Sequence, residues 1–126
     1  MLEQVTLISD NEAPLGPHAG PVLMCIDELA RLSGKVKVGT LSREVAWREV
    51  VHALNYFVNP MLERGEWTRA AVICDASTNP PTDPEHLLSF RVRVALVNTM
   101  AHWGGYFGVK YVDRGHVELH YQSLRE

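Results

Sequence analysis

Near the end of the chain, His116, Glu118 and His120 alternate with Val117, Leu119 and Tyr121, so the three polar residues project from one face of a strand, with Asp113 close by in the preceding turn. Imidazole and carboxylate groups at that spacing can ligate zinc or another divalent cation, and a small metal-dependent enzyme could be built on them. The outer face of a half-buried sheet calls for the same polar alternation, and no second shell of orienting partners is visible around these residues. Asp75 closes a short apolar run, where strand-end side chains are often catalytic, but no motif joins it to a nucleophile, and a solvated, turn-forming aspartate is the stronger reading. Arg91 and Arg93 share one face of a long alternating segment and could clamp an anion, pair with acidic residues of a neighbouring chain, or stand in solvent.

Signatures of a serine nucleophile, a dinucleotide fold and a phosphate loop are all absent from the sequence. The reading is therefore of a chain that is not an enzyme, with no residue assigned to catalysis, to a cofactor or to a metal. The residues that suggest contact with other chains are of a different kind. Trp103 and Tyr106, with Trp67 and Phe107, are large apolar groups near turns, where an interface gains more from them than a monomer does. Two short alternating segments, Glu3–Ser9 and His116–Gln122, present Val5, Leu7, Val117 and Leu119, and either segment would leave unpaired backbone groups for a neighbour if it lay at a sheet edge. The expected interface set is thus Val5, Leu7, Arg91, Arg93, Trp103, Tyr106, Val117 and Leu119.

The elements that must position these residues can be read from periodicity. Ser42–Gly65 carries the main helix: Trp47, Val50, Val51, Leu54, Phe57, Val58, Met61 and Leu62 recur at helical spacing, Ser42 is an N-cap candidate and Gly65 a natural terminator, while Pro60 predicts a bent last turn. A second helix is expected from Pro21 to Gly34, and Lys35–Gly39 reads as a connector. Strands are expected over Glu3–Ser9, Ala70–Asp75, Leu87–Asn98, Tyr106–Val112 and His116–Gln122, the last two closed into a hairpin by Asp113-Arg114-Gly115. Asp10–Gly20 and Ala76–Glu85, rich in Pro, Asn and Asp, read as loops, and Thr99–Gly105 reads as a third because Gly104-Gly105 punctuates it.

The expected fold class is therefore α+β, a mostly antiparallel sheet packed on one long helix plus a shorter N-terminal helix, forming a single domain over residues 1–126 with a strand and arm at 1–20. Apolar residues make up 46% of the chain and charged residues 21%, near globular averages, which excludes a disordered or fibrous class. Twelve basic and fifteen acidic residues leave a net charge of −3, so nothing draws the chain as a whole to nucleic acid or to an anionic membrane. The longest apolar runs are too short to cross a bilayer, and the N-terminus lacks a signal-peptide pattern, so action in the compartment of synthesis is expected. Cys25 and Cys74 each sit among apolar neighbours without a second cysteine nearby, which predicts two buried, reduced thiols.

One resemblance covers Val45 to about Asn98. A helix ends in Met61-Leu62-Glu63-Arg64-Gly65-Glu66, a strand Ala70-Ala71-Val72-Ile73 runs into Cys74-Asp75, a Thr78-Asn79-Pro80-Pro81 loop follows, and then comes the alternating strand Leu87 to Val97. This order resembles the C-terminal domain of contractile phage tail sheath proteins, and a free-standing domain of this size looks like a tail sheath initiator. The Glu-Pro-Arg motif usual in that family has as its nearest equivalent Pro84-Glu85-His86, and Gly104 to Gln122 has no counterpart there. The resemblance implies a structural protein of the virion tail, made in the host cytoplasm. Its partners would be sheath, tube or baseplate subunits, with a homo-oligomeric ring of sixfold symmetry. It also implies linkage through exchanged strands, for which Asp10–Gly20 would give the N-terminal strand its reach. A tail terminator or neck protein is the neighbouring alternative.

Overall fold

The computed structural model describes residues 4–9, 16–80 and 88–124. Residues 10–15, most of the Pro80-to-Glu85 stretch and the Pro84-Glu85-His86 triplet lie outside them. The longest element is α3, Arg43–Glu63. Ser42 starts it: its hydroxyl accepts from the Val45 N–H at 3.3 Å, satisfying a donor that the first turn leaves free. Gly65 stops it at φ +74°, where the Gly65 and Glu66 amides reach back to the carbonyls of Leu62 and Met61, both at 3.1 Å. That pair of bonds is a Schellman motif and needs the left-handed backbone that glycine adopts freely. Pro60 lies inside the helix without ending it, since Arg64 N–H bonds the Pro60 carbonyl at 3.0 Å. The carbonyl of Tyr56 loses its helical donor there, but both residues are exposed, where water can take the donor's place.

The face that α3 buries is narrower than the apolar periodicity suggests. Ala46, Val50, Leu54 and Val58, each four residues on from the last, are fully buried, while Trp47, Val51, Phe57, Met61 and Leu62 flank them half-exposed. Ahead of α3, a short 3-10 turn Pro17–Ala19 leads into α1, Gly20–Met24, and α2, Ile26–Lys37. The single helix expected from Pro21 is thus broken at Cys25, whose backbone leaves helical geometry (φ −111°, ψ 20°). The connector begins late: helical bonding runs on through Lys35 to Lys37, with Asp27 and Glu28 in the first turn and Lys35 and Lys37 in the last, as the helix dipole favours.

Among the described residues five strands form one mixed sheet: β1 Gln4–Ser9, β2 Arg69–Ile73, β3 Phe90–Val97, β4 His102–Asp113 and β5 His116–Leu124, in the order β1-β5-β4-β3-β2. The run β2 to β5 is antiparallel throughout, and β1 joins β5 in parallel, with Val5 opposite Val117 and Leu7 opposite Leu119. Of the two terminal segments only Glu3–Ser9 supplies an edge: His116–Gln122 is enclosed, because β5 lies between β1 and β4, and β1 pairs within its own chain, so the second open edge is β2. One expectation needs correcting. Thr99–Gly105 is not a loop throughout, because β4 starts at His102 and places Gly104 and Gly105 opposite Ala95 and Val94. The β3–β4 turn is only Asn98 to Ala101, held by the Asn98 carboxamide oxygen accepting from Met100 and Ala101 at 2.8 and 2.7 Å. The β4–β5 turn is Arg114-Gly115, one residue shorter than the expected Asp113-Arg114-Gly115 because Asp113 ends β4, with Gly115 at φ +87°.

Strand alternation sorts side chains onto two faces. Phe90, Val92, Val94, Phe107, Val109, Val117, Leu119 and Tyr121 form one cluster with Val22, Leu29, Leu32, Val50 and Leu54 of the helices. A smaller cluster, Val58, Trp67 and Leu96, continues it beneath the end of α3. The opposite face carries Thr6, Arg91, Arg93, Tyr106, Lys110, Glu118 and His120, all half-buried.

Candidate docking surface

The three polar residues of β5 stand on this helix-free face but do not converge. His116 turns toward β1, where its Nε2 lies 2.9 Å from Thr6 Oγ1. Glu118 is held instead by His120, with Oε1 3.1 Å from Nε2, and by Lys110 at 3.9 Å. Its carboxylate is therefore engaged by two cationic or donor groups, and no cluster of three or more His, Cys, Asp or Glu groups suited to a metal forms among the described residues. Asp113 lies in the register opposite His116 and is exposed.

The remaining expected residues fall into three places. Val5 and Leu7 lie on β1, facing the same side as the core, yet 39% and 47% exposed, because the helices do not extend over this strand. Their partners Val117 and Leu119, one strand further in, are 1% and 0% exposed and belong to the chain's own core, so they present no surface for docking. Arg91 and Arg93 stand half-buried on the outer face beside Gly108 and Tyr106, and both are engaged in interactions there. Tyr106 sits between Arg93 and Gln122 on that face. Trp103 lies on the core side of β4, 38% exposed, its other ring face against Gly16 and His18.

Backbone groups decide which edges are open. β1 bonds only β5 and β2 bonds only β3, so among the described residues each leaves one side of its strand without a ladder partner. β2 stops at Ile73, and beyond it the ladder on β3 is continued by a side chain. Asn79 accepts from Arg91 N–H at 2.6 Å and donates to Arg91 carbonyl at 2.9 Å, as an opposing strand residue would. Asp75 shapes the turn that brings it there: its carboxylate accepts from the Ser77 hydroxyl at 2.5 Å and from Ser77 N–H at 2.8 Å, and those two bonds hold its carboxyl below the usual range. The turn-forming reading of Asp75 is the one that its contacts support.

Two groups that matter here carry no sequence motif. Asn79 could have been flagged only by the turn chemistry of Asp-x-Ser-Thr-Asn-Pro, and His18 only by its place beside Pro17 at a helix entrance. The cysteines are buried and unpaired, and desolvation pushes both thiols up to about 12, so they carry almost no thiolate at neutral pH. No family model, curated protein or solved structure matches the chain.

Proposed function

We propose that the chain is a structural, non-enzymatic assembly subunit that joins its neighbours through its sheet edges. The observation that carries this reading is the β1 edge, a six-residue strand with one open side and with Val5 and Leu7 left 39% and 47% exposed beside the core. An exposed apolar edge strand is an aggregation hazard unless another chain completes it, and strand addition draws affinity from main-chain hydrogen bonds without any active site. The second open edge, β2, differs from β1 in length and side chains. A contact between unlike edges is head-to-tail, and repeats of it close into a ring or extend as a filament.

The similarity of Val45 to Asn98 to sheath C-terminal domains supports a contractile phage tail as the setting. The chain would then be sheath-like or sheath-initiator-like, in a sixfold ring, with sheath, tube or baseplate subunits as partners. A charge on the open edge tests the docking surface. Val5→Lys combined with Leu7→Lys should leave the circular dichroism spectrum and melting temperature near those of the parent, since both side chains already meet solvent. It should abolish co-purification with tail subunits expressed alongside. Undiminished assembly of a folded double variant would remove β1 as the docking strand.

A further inference from the structure

His18 has no exposed surface, and its surroundings are aromatic rings and glycines. Its ring centre lies 6.3 Å from that of Trp103, 5.7 Å from Phe107 and 5.6 Å from Tyr121. Two glycines make the space: a Cβ on Gly105 would stand 2.8 Å from His18 Nε2, and one on Gly16 would stand 2.4 Å from the Trp103 ring and 2.9 Å from His18 Nδ1. Among the described residues the ring has one polar contact, Nε2 to the Tyr121 hydroxyl at 3.2 Å, and Nδ1 is buried without a partner.

Among the described residues no acid stands by to welcome a charge. From β4 the ring is faced by Trp103, Gly105 and Phe107, and from β5 by Tyr121. The core face of β3 offers Phe90, Val92, Val94 and Leu96, and α1 is Gly-Pro-Val-Leu-Met. The Tyr121 phenol is therefore the one titratable group that these described elements turn toward His18.

We propose that His18 is a proton-operated latch: as the neutral imidazole it fastens the Pro17–Ala19 turn, and with it the entrance to α1, onto β4 and β5, and on protonation it lets go. A neutral ring whose Nε2–H donates to the Tyr121 hydroxyl leaves only the Nδ1 lone pair unmet, whereas an imidazolium is a donor at both nitrogens, and its Nδ1–H would be buried with no acceptor among the described residues. Cation–π attraction from the three rings offsets part of the cost of burying the charge but supplies no acceptor. Burial already holds His18 below its ordinary value of 6.5. The released state therefore takes up a proton first as pH falls through that value, and the stability of the latched state, complete above it, is lost progressively until the latched value is reached. In that window each pH unit favours release by up to about tenfold. Release uncovers Phe107, Tyr121 and the covered part of Trp103, which widens the apolar surface of this flank of the sheet at low pH. The inference rests on this pocket alone and does not depend on the assembly reading.

Native-state hydrogen exchange on the full chain between pH 8 and pH 5, corrected for the intrinsic exchange rate, tests it. The Ala19 amide, which donates to the Gly16 carbonyl at 3.0 Å, reports on the turn, and Leu54 in α3 is the control. Ala19 protection should fall below pH 6.5 by up to about tenfold per unit while Leu54 holds steady, and His18→Gln should make it independent of pH. Ala19 protection that is flat in the parent, or equally pH-dependent in His18→Gln, would overturn the latch. Should His18→Gln fail to fold, the ring resonances of His18 in the parent decide: titration below the ordinary histidine range, in step with Ala19 exchange, supports it, and titration in the ordinary range with Ala19 unchanged rejects it.

Discussion

Asn79 does the work of a residue that the chain does not have. After Ile73 the backbone turns out of the sheet, which would strand the N–H and carbonyl of Arg91, and the carboxamide satisfies both while Cys74 Sγ shares the carbonyl at 3.4 Å. Only a side chain with a donor and an acceptor on one planar group can do this, so Asn79→Ala takes away the acceptor of the Arg91 N–H and leaves the Arg91 carbonyl with the weaker Cys74 thiol. The expected cost is about 1–3 kcal/mol of unfolding free energy, read from the urea midpoint at unchanged slope. Asn79→Asp should cost at least as much, because a carboxylate has no proton to give the Arg91 carbonyl. A midpoint within error of the parent for both would mean that water replaces the carboxamide without penalty.

The elements were legible where local chemistry decides them and misread where distant parts of the chain decide. Ser42, Gly65 and the helical spacing that includes Val50, Leu54 and Val58 are local, and α3 begins and ends where they place it, although the stripe read from the sequence leaves out Ala46. Leu54 has no exposed surface, and Leu54→Ala should lower stability by about 2–5 kcal/mol, seen as a large fall in melting temperature. A melt within a degree or two of the parent would mean that the core does not depend on α3 at that point. Gly104 and Gly105 misled because glycine marks both turns and close approaches, and at Gly105 the latter applies: His18, more than eighty positions earlier, occupies the space a side chain would fill there. Alternation likewise announced β5 as a strand but carries no information on strand order, which depends on β1 returning to pair with it. Within the candidate surface, Val5 and Leu7 were visible as an alternating pair, whereas the burial of Val117 and Leu119 follows from that same unseen pairing. His18 and Asn79 are single polar residues outside any periodic segment, so no pattern could expose them.

At the scale of the molecule, the helices lie against one face of the sheet, the polar residues of β5 lie on the other, and the two open strands end it on either side. The pairing that closes this arrangement, β1 with β5, joins residues such as Thr6 and His116 that are 110 positions apart. Chain synthesis at about 5–20 residues per second separates the appearance of the two strands by roughly 5–20 s, and the entropy of closing so long a loop must be met before the contact returns anything. β1 should therefore be the last part of the sheet to gain protection when refolding is followed by pulsed hydrogen exchange, after β3, β4 and β5 have zipped through their short turns. Early protection of β1 would contradict this order. Throughout that interval the newborn N-terminal strand is a partnerless ribbon and β5 lacks its neighbour, so two chains made on one messenger have several seconds in which each can lend the other the strand it will later keep.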